Sequence, residues 1–127
     1  LRHLGEACGT CIAGFVTGKE RDRLLGGARA LLYPIQYPES FGLVLVEAML
    51  CGTPIAAMRV GAVPEIIEEN VSGCSPSSGE EFEQAVTKCL SLNRRMIRER
   101  AEQRFSAERM ARDYANVYAG VCNRKNA

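Results

Sequence analysis

Glu39 and Glu47 are the residues of this chain whose type and spacing suggest shared chemistry. From Phe41 to Cys51 every position is apolar or glycine except Glu47. A carboxylate inside such a run is expected to be buried, and a buried charge without a partner is costly. Two carboxylates could act as general acid and base. They could equally accept hydrogen bonds from sugar hydroxyls, while the free N–H groups of a helix N-terminus receive a diphosphate. The formal net charge is +1, and the aspartates are Asp22 and Asp113, so there is no Asp-x-Asp pair to hold a metal-bound diphosphate. The second role is therefore the better physical match. Spacing alone leaves a plainer alternative open, in which Glu39 is a solvated loop residue and Glu47 pairs with an arginine in the core.

Other chemistries find less support. There is no Gly-x-Ser-x-Gly elbow, and a Cys/His hydrolase would have to recruit His3, the single histidine. Residues 14–20 are similar to a P-loop, but the glycine spacing is short and Glu20 stands where Ser or Thr would hold magnesium. Cys8 and Cys11 have the spacing of a zinc or redox pair, without further ligands nearby; no metal site is expected. No secretory signal layout is present, so the six cysteines are expected as thiols, with Cys51 and Cys89 serving as small hydrophobes on helix faces. The near-neutral charge makes no electrostatic case for nucleic acid. No run reaches the length of a membrane-spanning helix, and a cytoplasmic location is the expectation.

The elements that must position the two glutamates follow from periodicity and punctuation. With 127 residues, 46% hydrophobic and 24% charged, the chain can build one globular core. Residues 41 or 42 to 51 read as a helix, because Glu47 to Leu50 are strong helix formers, Gly52 suits the C′ position and Pro54 prevents continuation. Residues 29–35 read as a buried strand before it, which places Glu39 in the loop at the helix mouth. Upstream, residues 1–9 read as the tail of a helix and 12–16 as a strand. Thr17 and Glu20 have the form of a capping box opening a helix to about Gly26. Downstream come a strand at 55–58, a short helix at 64–69 with Pro64 in its first turn, and an extended piece at 71–75. Ser78 and Glu81 form a second capping box, for a helix presenting Phe82, Ala85, Val86, Cys89 and Leu90 on one face. A helix over 94–104 carries five arginines among glutamates, which predicts a solvated face. Ser106 caps a last helix with Met110, Tyr114, Val117, Tyr118 and Val121 on one side. Strands alternating with helices predict an α/β fold, a Rossmann-like parallel sheet with flanking helices. Ligands of such sheets bind beyond the C-terminal strand ends, where Glu39 lies.

At these residues the sequence resembles a known family. Glu39 to Glu47 forms the Glu-x7-Glu pattern of retaining glycosyltransferases with the two-domain GT-B fold. The match extends through Glu39-x-Phe-Gly-Leu-Val, Glu47-Ala-Met-x-Cys-Gly-Thr-Pro, Gly61-Ala-Val-Pro-Glu65-Ile-Ile and Ser72-Gly73. From Gly14 to Tyr118 the chain is similar to the C-terminal, donor-binding part of family 4, glycosyl transferases group 1. The resemblance implies a nucleotide-diphosphate sugar as donor, with no metal or other cofactor. It implies that Glu39 approaches the donor sugar at the reaction centre. Ser40 and the backbone N–H groups of Phe41, Gly42, Leu43 and Val44 would face sugar and diphosphate, Glu47 would take the ribose hydroxyls, and Gly14 to Val16 would lie beside the nucleobase.

The resemblance also marks what this stretch lacks. Family members carry a separate N-terminal domain for the acceptor, a sugar or lipid, and two further βα units that open the donor domain. Residues 1–127 thus read as a partial donor-binding domain, and as a chain inactive alone. Its sheet is expected either to close with strand 12–16 beside strand 29–35 or to be completed by another chain, with self-association as one outcome. Two alternatives stay open: a non-catalytic sugar-nucleotide-binding or accessory module, and part of a sugar-nucleotide epimerase. The Phe-Gly-Leu-Val stretch after Ser40 favours the transferase.

Overall fold

Three short strands of mostly apolar residues make the sheet. The computed structural model describes residues 9–124, in the order α1 (Gly18–Gly27), β1 (Leu31–Tyr33), α2 (Leu43–Leu50), β2 (Ile55–Ala57), α3 (Val63–Ile66), β3 (Gly73–Cys74), α4 (Phe82–Cys89), α5 (Arg94–Arg104) and α6 (Ala107–Arg124). The expected helix tail before Gly9, and Cys8 with it, lie outside these residues. The three strands are parallel in the order β1-β2-β3, with Leu31 opposite Ile55 and Ala56 opposite Cys74. Parallel neighbours need crossover connections, and α2 and α3 supply them.

Alternation along β2 divides the core into two layers. Ile55 and Ala57 join Leu45 and Met49 of α2, Val63 and Ile66 of α3, and Ile97 and Ala101 of α5. Ala56 points the other way, to Cys74, Ala85 and Cys89. Complete burial of Leu45, Met49, Ile55 and Ile97 stabilises the fold by about 1.5–3 kcal/mol each. The Cys89 thiol approaches the Ile55 carbonyl at 2.9 Å, and burial, with Cys74 adding to it, pushes its pKa up to about 12. It stays protonated and packs as a small hydrophobe. Helices cover both faces, so the fold is α/β and Rossmann-like, as the alternation of elements predicts.

The end of α2 is built as its sequence suggests. Gly52 adopts φ +72°, its N–H bonds Met49 O at 2.8 Å, and the Thr53 N–H bonds Ala48 O at 2.8 Å, which satisfies terminal carbonyls. Arg94 then ties α5 to this corner. Its guanidinium donates to the carbonyls of Ala28 (2.6 Å) and Gly26 (2.7 Å) and to Thr53 Oγ1 (3.1 Å).

Several expectations require correction. Residues 12–16 form no strand: the chain turns at Gly14, with φ +73°, and Phe15 is 95% exposed. The sheet therefore does not close onto that segment, and among the described residues β1 is an edge strand whose Leu32 is 51% exposed. Thr17 does precede α1, but its side chain makes no capping bond. At the second expected box α4 begins only at Phe82, and Glu81 reaches back to the Ser77 N–H at 3.2 Å. The arginines of α5 are not uniformly solvated. Arg95 and Arg98 make the surface pairs with Glu99 and Glu102, whereas Arg94 and Arg104 grip backbone carbonyls and Arg100 pairs with Glu68. Ser106 caps α6 as expected, accepting from the Arg109 N–H at 3.3 Å, yet Met110, Tyr114, Val117, Tyr118 and Val121 are all exposed. No helix among the described residues is long and apolar enough to cross a membrane.

Candidate functional site

The loop between β1 and α2 holds Glu39 in one orientation. Tyr33 is the last residue of β1, and its hydroxyl donates to Glu39 Oε2 at 2.8 Å. The Ser40 N–H donates to Oε1 at 3.0 Å. The Tyr33 hydrogen bond, with the Phe41 amide adding to it, holds the Glu39 carboxyl below the ordinary carboxylate range. The phenol in return is pushed up, first by that hydrogen bond and then by burial. Both effects favour a negatively charged Glu39 beneath a neutral Tyr33 at neutral pH.

A neighbouring loop clamps the same turn from behind. The Ala62 N–H bonds Glu39 O at 2.9 Å. Gly61 has φ +60°, and a Cβ there would sit 2.6 Å from the Glu39 nitrogen. Only glycine permits this approach without moving the turn.

Helix α2 begins directly beyond. Gly42 is its N-cap and no side chain caps it; the first bond back to the cap is Leu45 N–H to Gly42 O at 2.9 Å. The amides of Leu43 and Val44 therefore open the helix without a side-chain partner among the described residues, and they carry the positive end of its dipole.

Glu47 departs from the expectation of burial. The helical period places Leu43, Glu47 and Leu50 on one stripe that looks away from the sheet, while Leu45, Val46, Ala48 and Met49 are buried. The Glu47 side chain is 29% exposed and pairs with Arg21 of α1, Nη1 to Oε1, at 2.7 Å. It opens onto a groove lined by Arg21, Asp22, Glu47, Leu50, Cys51 and Arg98. The plainer alternative was thus half right, since Glu47 does pair with an arginine, though at a groove and not in the core. Glu39 is not a freely solvated loop residue.

Gly14 and Val16 lie in irregular chain just before α1, with Val16 half-buried. Three positions escaped the reading of the sequence as parts of this site: Tyr33, Arg21 and, as a clamp, Gly61. Tyr33 carried the clearest signal, a hydroxyl-tipped aromatic at the C-terminal end of a strand beside the loop in question.

With this geometry in place, the relatives are informative. Residues 3–104 match the model of the family described as Glycosyl transferases group 1. N-acetyl-alpha-D-glucosaminyl L-malate synthase of Bacillus anthracis is 35% identical over 99 residues, covering 72% of this chain and 26% of that protein. D-inositol 3-phosphate glycosyltransferase of Mycolicibacterium smegmatis is 44% identical over 61 residues, covering 46% of this chain and 14% of its own length. Among solved structures, Anabaena HepE in complex with UDP and glucose superimposes with a TM-score of 0.74 at 25% identity, over 94% of this chain and 34% of that one. The same protein in complex with UDP-glucose gives 0.73. The chain spans about a quarter of the Bacillus relative and about a third of the Anabaena one. By the extent of the family match and the likeness of the fold, this chain belongs to the glycosyl transferases of group 1.

Proposed function

We propose that this chain forms the donor side of a retaining, family-4 glycosyltransferase, which moves a sugar from a nucleoside-diphosphate sugar to an acceptor. One observation carries the reading: Glu39 is fixed and ionised at the uncapped mouth of α2, and Glu47 lies little more than a turn along that helix. The reacting sugar carbon sits against Glu39. As its bond to the diphosphate oxygen breaks, the electron pair leaves with the diphosphate. The amides opening α2, helped by Ser40, receive that charge, and the carboxylate of Glu39 offsets the electron deficiency left on the sugar. The acceptor hydroxyl then bonds to the carbon on the face the diphosphate leaves and passes its proton to the departing diphosphate oxygen. Glu47 accepts the ribose hydroxyls, and Gly14 and Val16 flank the base. The helix mouth does the work a metal ion would otherwise do, so none is required.

The wider setting is part of the same proposal: a cytoplasmic enzyme whose acceptor is held by further chain. The open edge of β1 is the place where such chain, or a second copy, completes the sheet. The complexes of the Anabaena relative with UDP and UDP-glucose support the ligand class. The decisive experiment is titration of labelled protein with UDP, watched by NMR. Shifts gathered at residues 39–47 and weakened in Glu47→Gln are expected. Absence of any shift at millimolar UDP would sink the reading. A protein that binds but never turns over UDP-sugars, even at full length, would be an accessory module instead.

A further inference from the structure

We infer that Arg21 is a positioning residue of the donor site, setting the selectivity for a ribose diol through Glu47. The inference rests on the proposed role of Glu47. A glutamate on a helix flank has three side-chain torsions, and its carboxylate samples many directions unless something holds it. Arg21 Nη1 holds Oε1 at 2.7 Å, and among the described residues the other oxygen has no partner. The Arg21 Nε and Nη2 groups reach Asp22 Oδ1 at 3.4 and 3.2 Å. One planar guanidinium thus spans two carboxylates. This is a task for which its rigid fork is suited and a lysine ammonium is not. The result is a carboxylate with one oxygen held by a cation, on a side chain that lines the same groove as Leu50, Cys51 and Arg98. As a carboxylate, Glu47 is purely an acceptor. A neighbouring hydroxyl pair on a ligand can meet it only by donating. A ligand lacking that pair leaves Oε2 unsatisfied, and discrimination follows.

The pair is about a third exposed, 37% at Arg21 and 29% at Glu47, so it is worth little as a stabilising contact. Loss of Arg21 should therefore be read in ligand selectivity more than in folding. Asp22, on the same groove, pairs with Arg21 as well, Nη2 to Oδ1, at 3.2 Å.

The test uses the full-length protein and two probes, UDP and 2′,3′-dideoxy-UDP, whose affinities are measured by calorimetry. In the wild type UDP should bind roughly ten to a hundred times more tightly than the dideoxy compound, the worth of hydrogen bonds to a charged group. Glu47→Gln should remove most of that ratio. Arg21→Met should reduce it at least about threefold, through UDP and not the dideoxy compound, and add nothing in the Glu47→Gln background. Arg21→Lys, which keeps the charge without the fork, should fall between wild type and Arg21→Met. Equal weakening of both probes in Arg21→Met would make Arg21 a mere phosphate-attracting charge and overturn the inference. So would tighter UDP binding, which would make Arg21 a competitor of the ribose. A ratio lost in Glu47→Gln but intact in Arg21→Met would overturn the role of Arg21 alone. A ratio near one in the wild type would overturn the ribose assignment of Glu47 and this inference with it.

Discussion

Glu39 and Glu47 belong to the same loop-and-helix unit, yet they are held by opposite means. Glu39 is fixed by neutral donors, a phenol and a backbone amide, in a turn pressed against Gly61. Glu47 is fixed by a charged partner from another helix at a partly exposed groove. The difference fits the two proposed tasks. A carboxylate at a sugar centre that becomes electron-poor is useful only if its field is not cancelled, and an arginine within 3 Å would cancel much of it. Neutral donors hold the group and leave its charge. A carboxylate that receives uncharged hydroxyls loses nothing by having a cation beside it. Salt sharpens the contrast, since the Glu47 pair is open to screening whereas the bonds to Glu39 are not ionic.

Substitution at Glu39 should have the largest effect. In the full-length protein, Glu39→Gln is expected to lower turnover roughly a hundredfold or more while UDP affinity stays within about twofold. Steady-state rates and calorimetry separate the two. A variant that keeps its turnover would remove Glu39 from the reaction centre.

Next in size is the clamp. Gly61→Ala puts a methyl group against the Glu39 backbone and a side chain at φ +60°, and should cost about 2 kcal/mol or more of stability. Thermal or urea unfolding gives the value. An unchanged midpoint would mean that the turn yields easily and that Glu39 is not fixed from behind. At the other carboxylate the expected loss is in binding. Glu47→Gln should weaken UDP about tenfold with turnover at saturation changed far less, the reverse of Glu39→Gln. Similar losses in both columns for both variants would erase the contrast between them.

Much of this arrangement was legible in the sequence, for local reasons. The helix α2 could be read because its formers, its stop at Gly52 and the proline beyond it all act within a few residues. The Glu39 loop could be read because a strand and a helix bracket it. What resisted reading depends on residues far apart. Arg21 and Glu47 meet across two helices, and Arg94 bonds the Ala28 carbonyl across 66 positions; nothing in either neighbourhood announces the partner. The failure at residues 12–16 is of another kind. Ile12, Phe15 and Val16 have strand propensity, but propensity in a short run is overridden where a glycine turns the chain and no neighbouring strand is paired. Glu47 escapes burial because the helical period sets every third or fourth residue apart, so apolar neighbours in sequence do not by themselves place a residue in the core.

The smallest expected effect is also the most specific to Glu39. Tyr33→Phe removes one oxygen and the first cause of the lowered Glu39 pKa, so that pKa should move back up towards its ordinary value of 4.5. The sign follows from linkage. A carboxylate with a depressed folded pKa adds stability that is present above its unfolded pKa and is lost as pH falls through the lower folded value. The variant narrows that window. Its acid limb of kcat/KM should accordingly lie at higher pH than that of the wild type, while activity near neutral pH, where Glu39 is ionised in both, is nearly unchanged. The raised Tyr33 pKa is the same hydrogen bond seen from its donor: its effect is present below 10.0 and lost as pH rises through the higher folded value, and Tyr33→Phe abolishes it. Carbon-13 NMR of the Glu39 carboxyl reads the first shift directly. Coincident titration curves in wild type and Tyr33→Phe would show that the phenol does not tune Glu39, and neutral donors would then no longer distinguish this carboxylate from its arginine-bound neighbour.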